Sequence, residues 1–189
     1  MKNIAIFASG SGTNAENLIR FFRTSQLGRV KIVLSNRREA GVIERAQSLD
    51  VETLAFTREQ FYHSREIVDL LFERDINFIV LAGFLWLVPK SLLQEFENKI
   101  VNIHPALLPL YGGRGMYGNR VHQAVIDAGD TESGISIHYV NQNYDEGDVV
   151  FQARCKLEPG DSAETLAGKI HELEYEHFPR IVEKMLEEL

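Results

Sequence analysis

Cysteine occurs once in these 189 residues, at Cys155. A lone cysteine excludes an internal disulfide and favours a reducing compartment; Cys155 reads as a strand residue rather than a nucleophile. No run of about 18 apolar residues is present, which excludes an apolar membrane-spanning helix. Met1-Lys2-Asn3 leads straight into Ile4-Ala5-Ile6-Phe7, too short an apolar core for a signal peptide. A cytoplasmic protein is expected. Positive charge is scarce: 20 Lys and Arg against 27 Asp and Glu leave a net charge of −7. That balance disfavours broad contact with a nucleic-acid backbone. His63, His122, His171 and His177 show no ligand spacing with Cys or Glu, so no metal site is expected. Internal repeats, linkers and low-complexity segments are also missing.

What is there is the composition of a globular protein, 44% hydrophobic and 25% charged, at a length that favours one domain. Ile4–Ala8 is a nearly continuous apolar run, as expected of a strand buried on both faces. Ala15, Leu18, Ile19 and Phe22 then fall at helical spacing. Val30–Leu34 reads as a strand, Val42, Ala46 and Leu49 mark a short helix, and Thr53–Phe56 a weaker strand. Phe61–Arg74 reads as one helix turning Ile67, Leu70 and Leu71 inward. Phe78–Ala82 is another buried strand ended by Gly83. Pro89 opens a helix with Leu92, Leu93 and Phe96 on one face, and Ile100–Ile103 is a strand. Alternating strands and helices predict a mostly parallel sheet covered on both faces.

The pattern changes after Pro109. Tyr111–Asn119 carries four glycines and reads as a loop, followed by a helix over Val121–Ala128. Two alternating strands, around Ile135–Tyr139 and Val149–Gln152, joined by the polar turn Asn141–Gly147, predict an antiparallel pair. Asp161 or Ser162 caps a final helix, which Pro179 should kink or divide.

Three segments can carry chemistry. Gly10-Ser11-Gly12-Thr13-Asn14 follows the first strand and opens the first helix, where free N–H groups meet an anion. The third glycine of the dinucleotide fingerprint would fall at Ala15, and the P-loop ending is missing. This is a phosphate site or a plain tight turn. A side chain at Gly12 would block a ligand's approach to the backbone. Asn102-Ile103-His104-Pro105 ends a strand, because Pro105 cannot continue a central ladder. Asn102 and His104 therefore point the same way at the sheet edge where ligands bind in open α/β folds. His104 is either a satisfied buried histidine or a functional one. Asp145, in the turn Tyr144–Asp148, either caps its own backbone or approaches His104 and raises its pKa. His138 shares the face of Ser136. Trp86, after the strand ending at Gly83, is core or the wall of a site for a flat heterocycle.

These segments occur in an order that resembles a known family. The G-x-G-[ST]-N loop, V-L-A-G-F at Val80–Phe84, N-I-H-P-A-L-L-P at Asn102–Pro109 and D-E-G-D-V-V at Asp145–Val150 are similar to the phosphoribosylglycinamide formyltransferases, of the folate-dependent formyltransferase family. The likeness spans nearly the whole chain. It implies a single α/β domain, 1–189: a mostly parallel, doubly wound, Rossmann-like sheet with a C-terminal antiparallel strand pair and a terminal helix. Residues 1–100 would form a phosphate-binding half and 101–189 a catalytic and folate-binding half. It implies a catalytic set of Asn102, His104 and Asp145, and a phosphate cradle of Gly12, Thr13 and Asn14. Glu174 would contact the glycinamide substrate. Arg65, Leu85, Trp86, Leu87, Val88 and Asn102 would line the folate pocket. The co-substrate would be 10-formyltetrahydrofolate, the acceptor glycinamide ribonucleotide, with no metal, nucleic acid or membrane partner, in a monomer or homodimer. Two departures stand out. The loop Leu110–Arg120 is longer than usual in the family, and Trp86 stands where bacterial members often carry Arg.

The implied chemistry suits these residues. The substrate's own amine is the nucleophile, so neither Ser nor Cys is needed, and the oxyanion formed on the formyl carbon would face Asn102 and His104. Three alternatives stand beside it. Another formyltransferase, acting on a sugar-nucleotide or tRNA-linked amine, shares N-x-H-x-x-L-L-P, as does a formyltetrahydrofolate deformylase. A non-catalytic nucleotide-binding module would explain the glycine loop but not Asn102, His104 and Asp145 together.

Overall fold

A computed structural model describes residues 1–189. Seven strands form one sheet: β1 Lys2–Phe7, β2 Gly28–Ser35, β3 Glu52–Ala55, β4 Ile76–Leu81, β5 Ile100–His104, β6 Glu132–Tyr139 and β7 Val149–Lys156. Their order is β3-β2-β1-β4-β5-β6-β7. The first five run parallel; β6 is antiparallel to β5, and β7 to β6, as the alternating pattern predicts. The chain winds outward from β1 to β3, then returns to β4 on the other side of β1. The reversal leaves a crevice beyond the carboxyl ends of β1 and β4, where doubly wound sheets bind ligands.

Strand periodicity fills both faces. Ile4, Ile6 and Ala8 pack with Phe78, Val80 and Ala82 against α1 Thr13–Phe22, α2 Gly41–Ser48, α6 Asn119–Ala128 and α7 Ala163–Glu187. Ala5 and Phe7 pack with Ile79 and Leu81 on the opposite face. That face is covered by α3 Arg58–Tyr62, α4 Glu66–Glu73 and α5 Lys90–Glu95.

Two sequence expectations are corrected. Phe61–Arg74 is not one helix. Thr57 and Gln60 form a capping box that starts α3 earlier, at Arg58, and Ser64 Oγ accepts the Glu66 N–H at 3.2 Å, opening α4. Local side-chain bonds of this kind compete with helix continuation. Along α4 the buried residues are Ile67, Val68 and Leu71, with Leu70 only partly covered. Pro179, in turn, does not divide the last helix, which runs unbroken for 25 residues from a Ser162–Thr165 capping box. A mid-helix proline deprives the carbonyl four residues back of its donor. Here that carbonyl is Tyr175 O, and Asn17 Nδ2 of α1 donates to it at 3.0 Å.

Candidate active site

The end of β5 carries the centre of the site. Asn102 pairs in register with His138 on β6, and His104 with Ser136. Asp145 arrives from the β6–β7 turn in a left-handed conformation, φ 56°, which Asp tolerates better than most residues. Its Oδ2 lies 3.6 Å from His104 Nδ1, and its Oδ1 lies 3.5 Å from His138 Nε2. The Gly113 N–H donates to Oδ2 at 2.9 Å. Asn102 Nδ2 stands 3.0 Å from His138 Nε2 and 3.4 Å from Asp145 Oδ1. His138 Nδ1 is 2.8 Å from the Tyr139 carbonyl, so it carries the proton and leaves Nε2 to accept from Asn102. Likewise His104 Nε2–H donates to the Tyr111 carbonyl at 2.7 Å, which turns Nδ1 toward Asp145.

Burial decides the charge of His104. The residue is 3% exposed. Desolvation pulls its pKa below the ordinary histidine value, outweighing the opposing charge of Asp145 and the Tyr111 carbonyl, while His138 pushes the same way as burial. The expected upward shift is thus overturned: sequence spacing suggests the carboxylate but is blind to the depth of the imidazole. Burial alone would raise the Asp145 carboxyl. The neighbouring His138 and His104 imidazoles and the Gly113 N–H outweigh that and hold it below the usual range.

A cavity of about 500 Å³ opens beside this centre, and only 8 of its 26 lining residues are hydrophobic, which suits a polar ligand. At one end lies the Gly10–Asn14 loop. The first bond inside α1 runs from the Glu16 N–H to the Gly12 carbonyl, so the preceding N–H groups are free for an anion. α2 fixes the loop: the Val42 N–H reaches Gly10 O at 3.1 Å, and Arg45 Nε reaches Ser11 O at 2.9 Å. Gly12 sits at φ 81°, and a Cβ there would lie 2.5 Å from Val42. The obstruction expected of a Gly12 side chain therefore falls on α2, inside the protein, before it reaches any ligand. Glu174 of α7 closes this end, accepting a 2.8 Å bond from Asn14 Nδ2. Burial raises its carboxyl pKa, against the pull of Asn14 and His171.

At the other end a narrower groove runs along Phe84, Trp86, Leu87 and Val88 to Asn102, His138 and Asp145, with 7 of its 11 lining residues hydrophobic. Ser9 ties the two ends together: its N–H donates to Gly83 O at 3.0 Å, and its Oγ accepts the Leu85 N–H at 3.0 Å.

The formyl transferase family model matches residues 2–182. The chain belongs to the formyl transferase family. It is 35% identical to the chloroplastic phosphoribosylglycinamide formyltransferase of Arabidopsis thaliana, over 99% of this chain and 66% of that protein. The chain thus spans just under two thirds of the plant relative's length. A Haemophilus influenzae phosphoribosylglycinamide formyltransferase is 35% identical over 96% of this chain and 86% of its own length. Among solved structures, the phosphoribosylglycinamide formyltransferase of Bacillus halodurans superposes with a TM-score of 0.87 at 37% identity, covering 98% of this chain and 95% of that one. The fold is that of the family: one α/β domain with an antiparallel pair after a parallel sheet.

Within this formyl transferase fold, Gly12, Thr13, Asn14, Leu85, Asn102, His104, Asp145 and Glu174 all line the larger cavity, and Trp86, Leu87 and Val88 line the groove. Both halves of the chain contribute to the same cavity. Arg65 stands apart: it lines neither, and its exposed guanidinium pairs with Glu95 at 3.1 Å and Asp69 at 3.5 Å. Trp86 serves as both core and wall, packing on Phe56, Phe61 and Tyr62 while facing the groove. Sequence reasoning passed over His122 and His171 because they lack metal-ligand spacing, yet both line the cavity. It also passed over Arg114 of the glycine-rich loop and Arg120 in the first turn of α6, both on the cavity wall; cations in and just after a glycine-rich segment were the available signal. No cluster of three or more His, Cys, Asp or Glu has metal-binding geometry, and no helix is long and apolar enough to cross a membrane.

Proposed function

We propose that this chain transfers the formyl group of 10-formyltetrahydrofolate to the amine of glycinamide ribonucleotide, in purine biosynthesis. The reading is carried by one observation: Asn102, His104 and Asp145 meet where an anion-binding polar cavity joins an apolar groove. The ribose phosphate lies at Gly12, Thr13 and Asn14, Glu174 contacts the glycinamide portion, and the pterin lies along Leu85, Trp86, Leu87 and Val88. Arg65 serves the folate from outside the groove by leaving its pairing with Glu95. A phosphate end of this kind favours transfer to a phosphorylated acceptor over simple deformylation. Residues 1–100 supply the phosphate loop and 101–189 the catalytic residues of one formyltransferase domain. The net charge of −7 supports small-molecule partners rather than nucleic acid or an anionic membrane, and the single cysteine supports a cytoplasmic setting, as monomer or homodimer.

The mechanism starts with His104 neutral. The acceptor amine attacks the formyl carbon, giving a tetrahedral carbon that bears an oxyanion and a protonated amine. His104 Nδ1 takes that proton, directly or through Asp145, and the resulting imidazolium faces the oxyanion beside the carboxylate. The Asn102 N–H that reaches Asp145 only at 3.4 Å is the one able to turn to the oxyanion; the other stays with His138. The proton then passes to the departing folate nitrogen as the carbon–nitrogen bond breaks. Turnover of glycinamide ribonucleotide with 10-formyltetrahydrofolate is the test. Formate release with no formylated acceptor would replace this reading with a deformylase.

A further inference from the structure

His122 occupies the fourth position of α6 and lines the polar cavity. Its side chain is buried, the residue being 4% exposed. Nδ1 is fully enclosed and has no hydrogen-bond partner in the chain. Asn14 shares the deficiency: its Nδ2 is spent on Glu174, while its buried Oδ1 is unpartnered. Buried polar atoms without partners are rare in folded proteins, and each needs a reason. Both of these atoms are closed off from the cavity, whereas His122 Nε2 is neither enclosed nor bonded within the chain and is the atom of this buried ring that a ligand in the cavity can reach. We infer that His122 is a specificity residue that hydrogen-bonds a neutral hydroxyl or amide of the phosphorylated acceptor, between its phosphate and its amine.

Position and charge select that partner. His122 lines the cavity with Gly12–Asn14 and His104 but is absent from the groove of Trp86 and Val88, so it faces the acceptor rather than the pterin. Burial, reinforced by His171 and His104, lowers its pKa to about 4. A neutral imidazole offers one donor and one acceptor, which matches a hydroxyl or an amide and not a phosphate dianion. The inference rests on the acceptor being the phosphorylated amine proposed above.

His122→Leu and His122→Gln separate a recognition role from a structural one. A partner needed only for folding would be missed in the empty protein. Replacing an unpartnered buried polar group with an apolar one is instead neutral or stabilising, so the melting temperature of His122→Leu should hold or rise. Its KM for glycinamide ribonucleotide should increase by about 10- to 100-fold, with KM for 10-formyltetrahydrofolate within about twofold of the parent's. His122→Gln keeps a polar atom near Nε2 and should recover most of the acceptor affinity. If the Leu variant proves insoluble, the Gln variant carries the test: recovery must exceed that of His122→Ala. An unchanged acceptor KM in His122→Leu, or an equal rise for both substrates, overturns the assignment. Failure of the parent protein to formylate the acceptor is a separate result, which overturns the proposed reaction itself.

Discussion

At the Gly10–Asn14 end of the site, the wall is main-chain N–H groups with the half-buried Asn14 and the buried His122 and Glu174. At the groove end it is Phe84, Trp86 and Val88, which also belong to the core of the α3–α5 face. The first end has hydrogen-bonding groups, the loop N–H groups and His122 Nε2, that no protein group satisfies. The second has an aromatic cluster already satisfied by packing, with Arg58 above Trp86 at 5.6 Å. On the proposed function, one end would gain its selectivity from directional bonds and the other from shape and burial. The centre, Asn102, His104 and Asp145, belongs to neither and should behave differently from both.

The largest effects are expected at that centre. His104→Ala and Asn102→Ala should each lower kcat by about 10²–10³-fold, with both KM values little changed and the circular dichroism of the parent retained. Near-parental kcat in either variant would remove that residue from the reaction. Next comes Asp145→Asn, which keeps the shape and the left-handed backbone but removes the charge. Asp145 opposes the burial that depresses the His104 pKa, so the pKa should fall further in the variant. In the proposed mechanism His104 acts from its neutral form, so kcat should fall as pH drops through that pKa. The acid limb of the profile should move to lower pH in Asp145→Asn, while the plateau drops by about 10². NMR titration of His104 in both proteins reads the shift directly; an unmoved pKa would make Asp145 a turn residue and leave His138 as the next proton carrier.

The contrast between the two ends is sharpened by a crossed pair of milder changes. Asn14→Ala should raise KM for the acceptor by about tenfold and leave the folate KM alone. Trp86→Leu should do the reverse, raising the folate KM by about 3- to 10-fold. If both variants weakened both substrates equally, the two ends would be one binding surface and the comparison would collapse.

The two ends also differ in how far residue order reveals them. The Gly10–Asn14 loop is legible because its requirements are local: glycines at a strand–helix junction and a helix N-terminus. The strand-end placement of Asn102 and His104 is legible for the same reason, since Pro105 stops the ladder. Trp86 reads equally as core or wall because it is both. What stays hidden depends on contacts distant in sequence. His138 reaches Asn102 only through the β5–β6 register, the His104 pKa depends on three-dimensional burial, and the Tyr111 carbonyl that orients His104 belongs to a loop with no periodic signal. His122 looks like any helical histidine until the cavity is drawn around it. The break between α3 and α4 was readable in Thr57-x-x-Gln60 and Ser64, but the apolar spacing across it imitates a continuous helix.

The smallest expected effect lies outside the site and concerns what holds its polar end in register. α1 carries the phosphate loop and α7 carries Glu174, and the two are joined by Asn14 to Glu174 and Asn17 to Tyr175. The second bond exists because Pro179 has no N–H for the Tyr175 carbonyl. Asn17→Ala leaves that carbonyl to water, which its exposed position permits, so the loss should be about 1 kcal/mol, or roughly 2–4 °C in melting temperature for a chain of this size. In a Pro179→Ala background the helix recovers its own donor at position 179, and Asn17→Ala should then be nearly silent. This double-mutant cycle isolates the interaction. An equal loss in both backgrounds would mean that Asn17 acts through α1 packing and that Pro179 is tolerated for another reason. Since the bond lies one turn beyond Asn14 on α1, any kinetic trace of Asn17→Ala should appear in the acceptor KM and be absent from the folate KM.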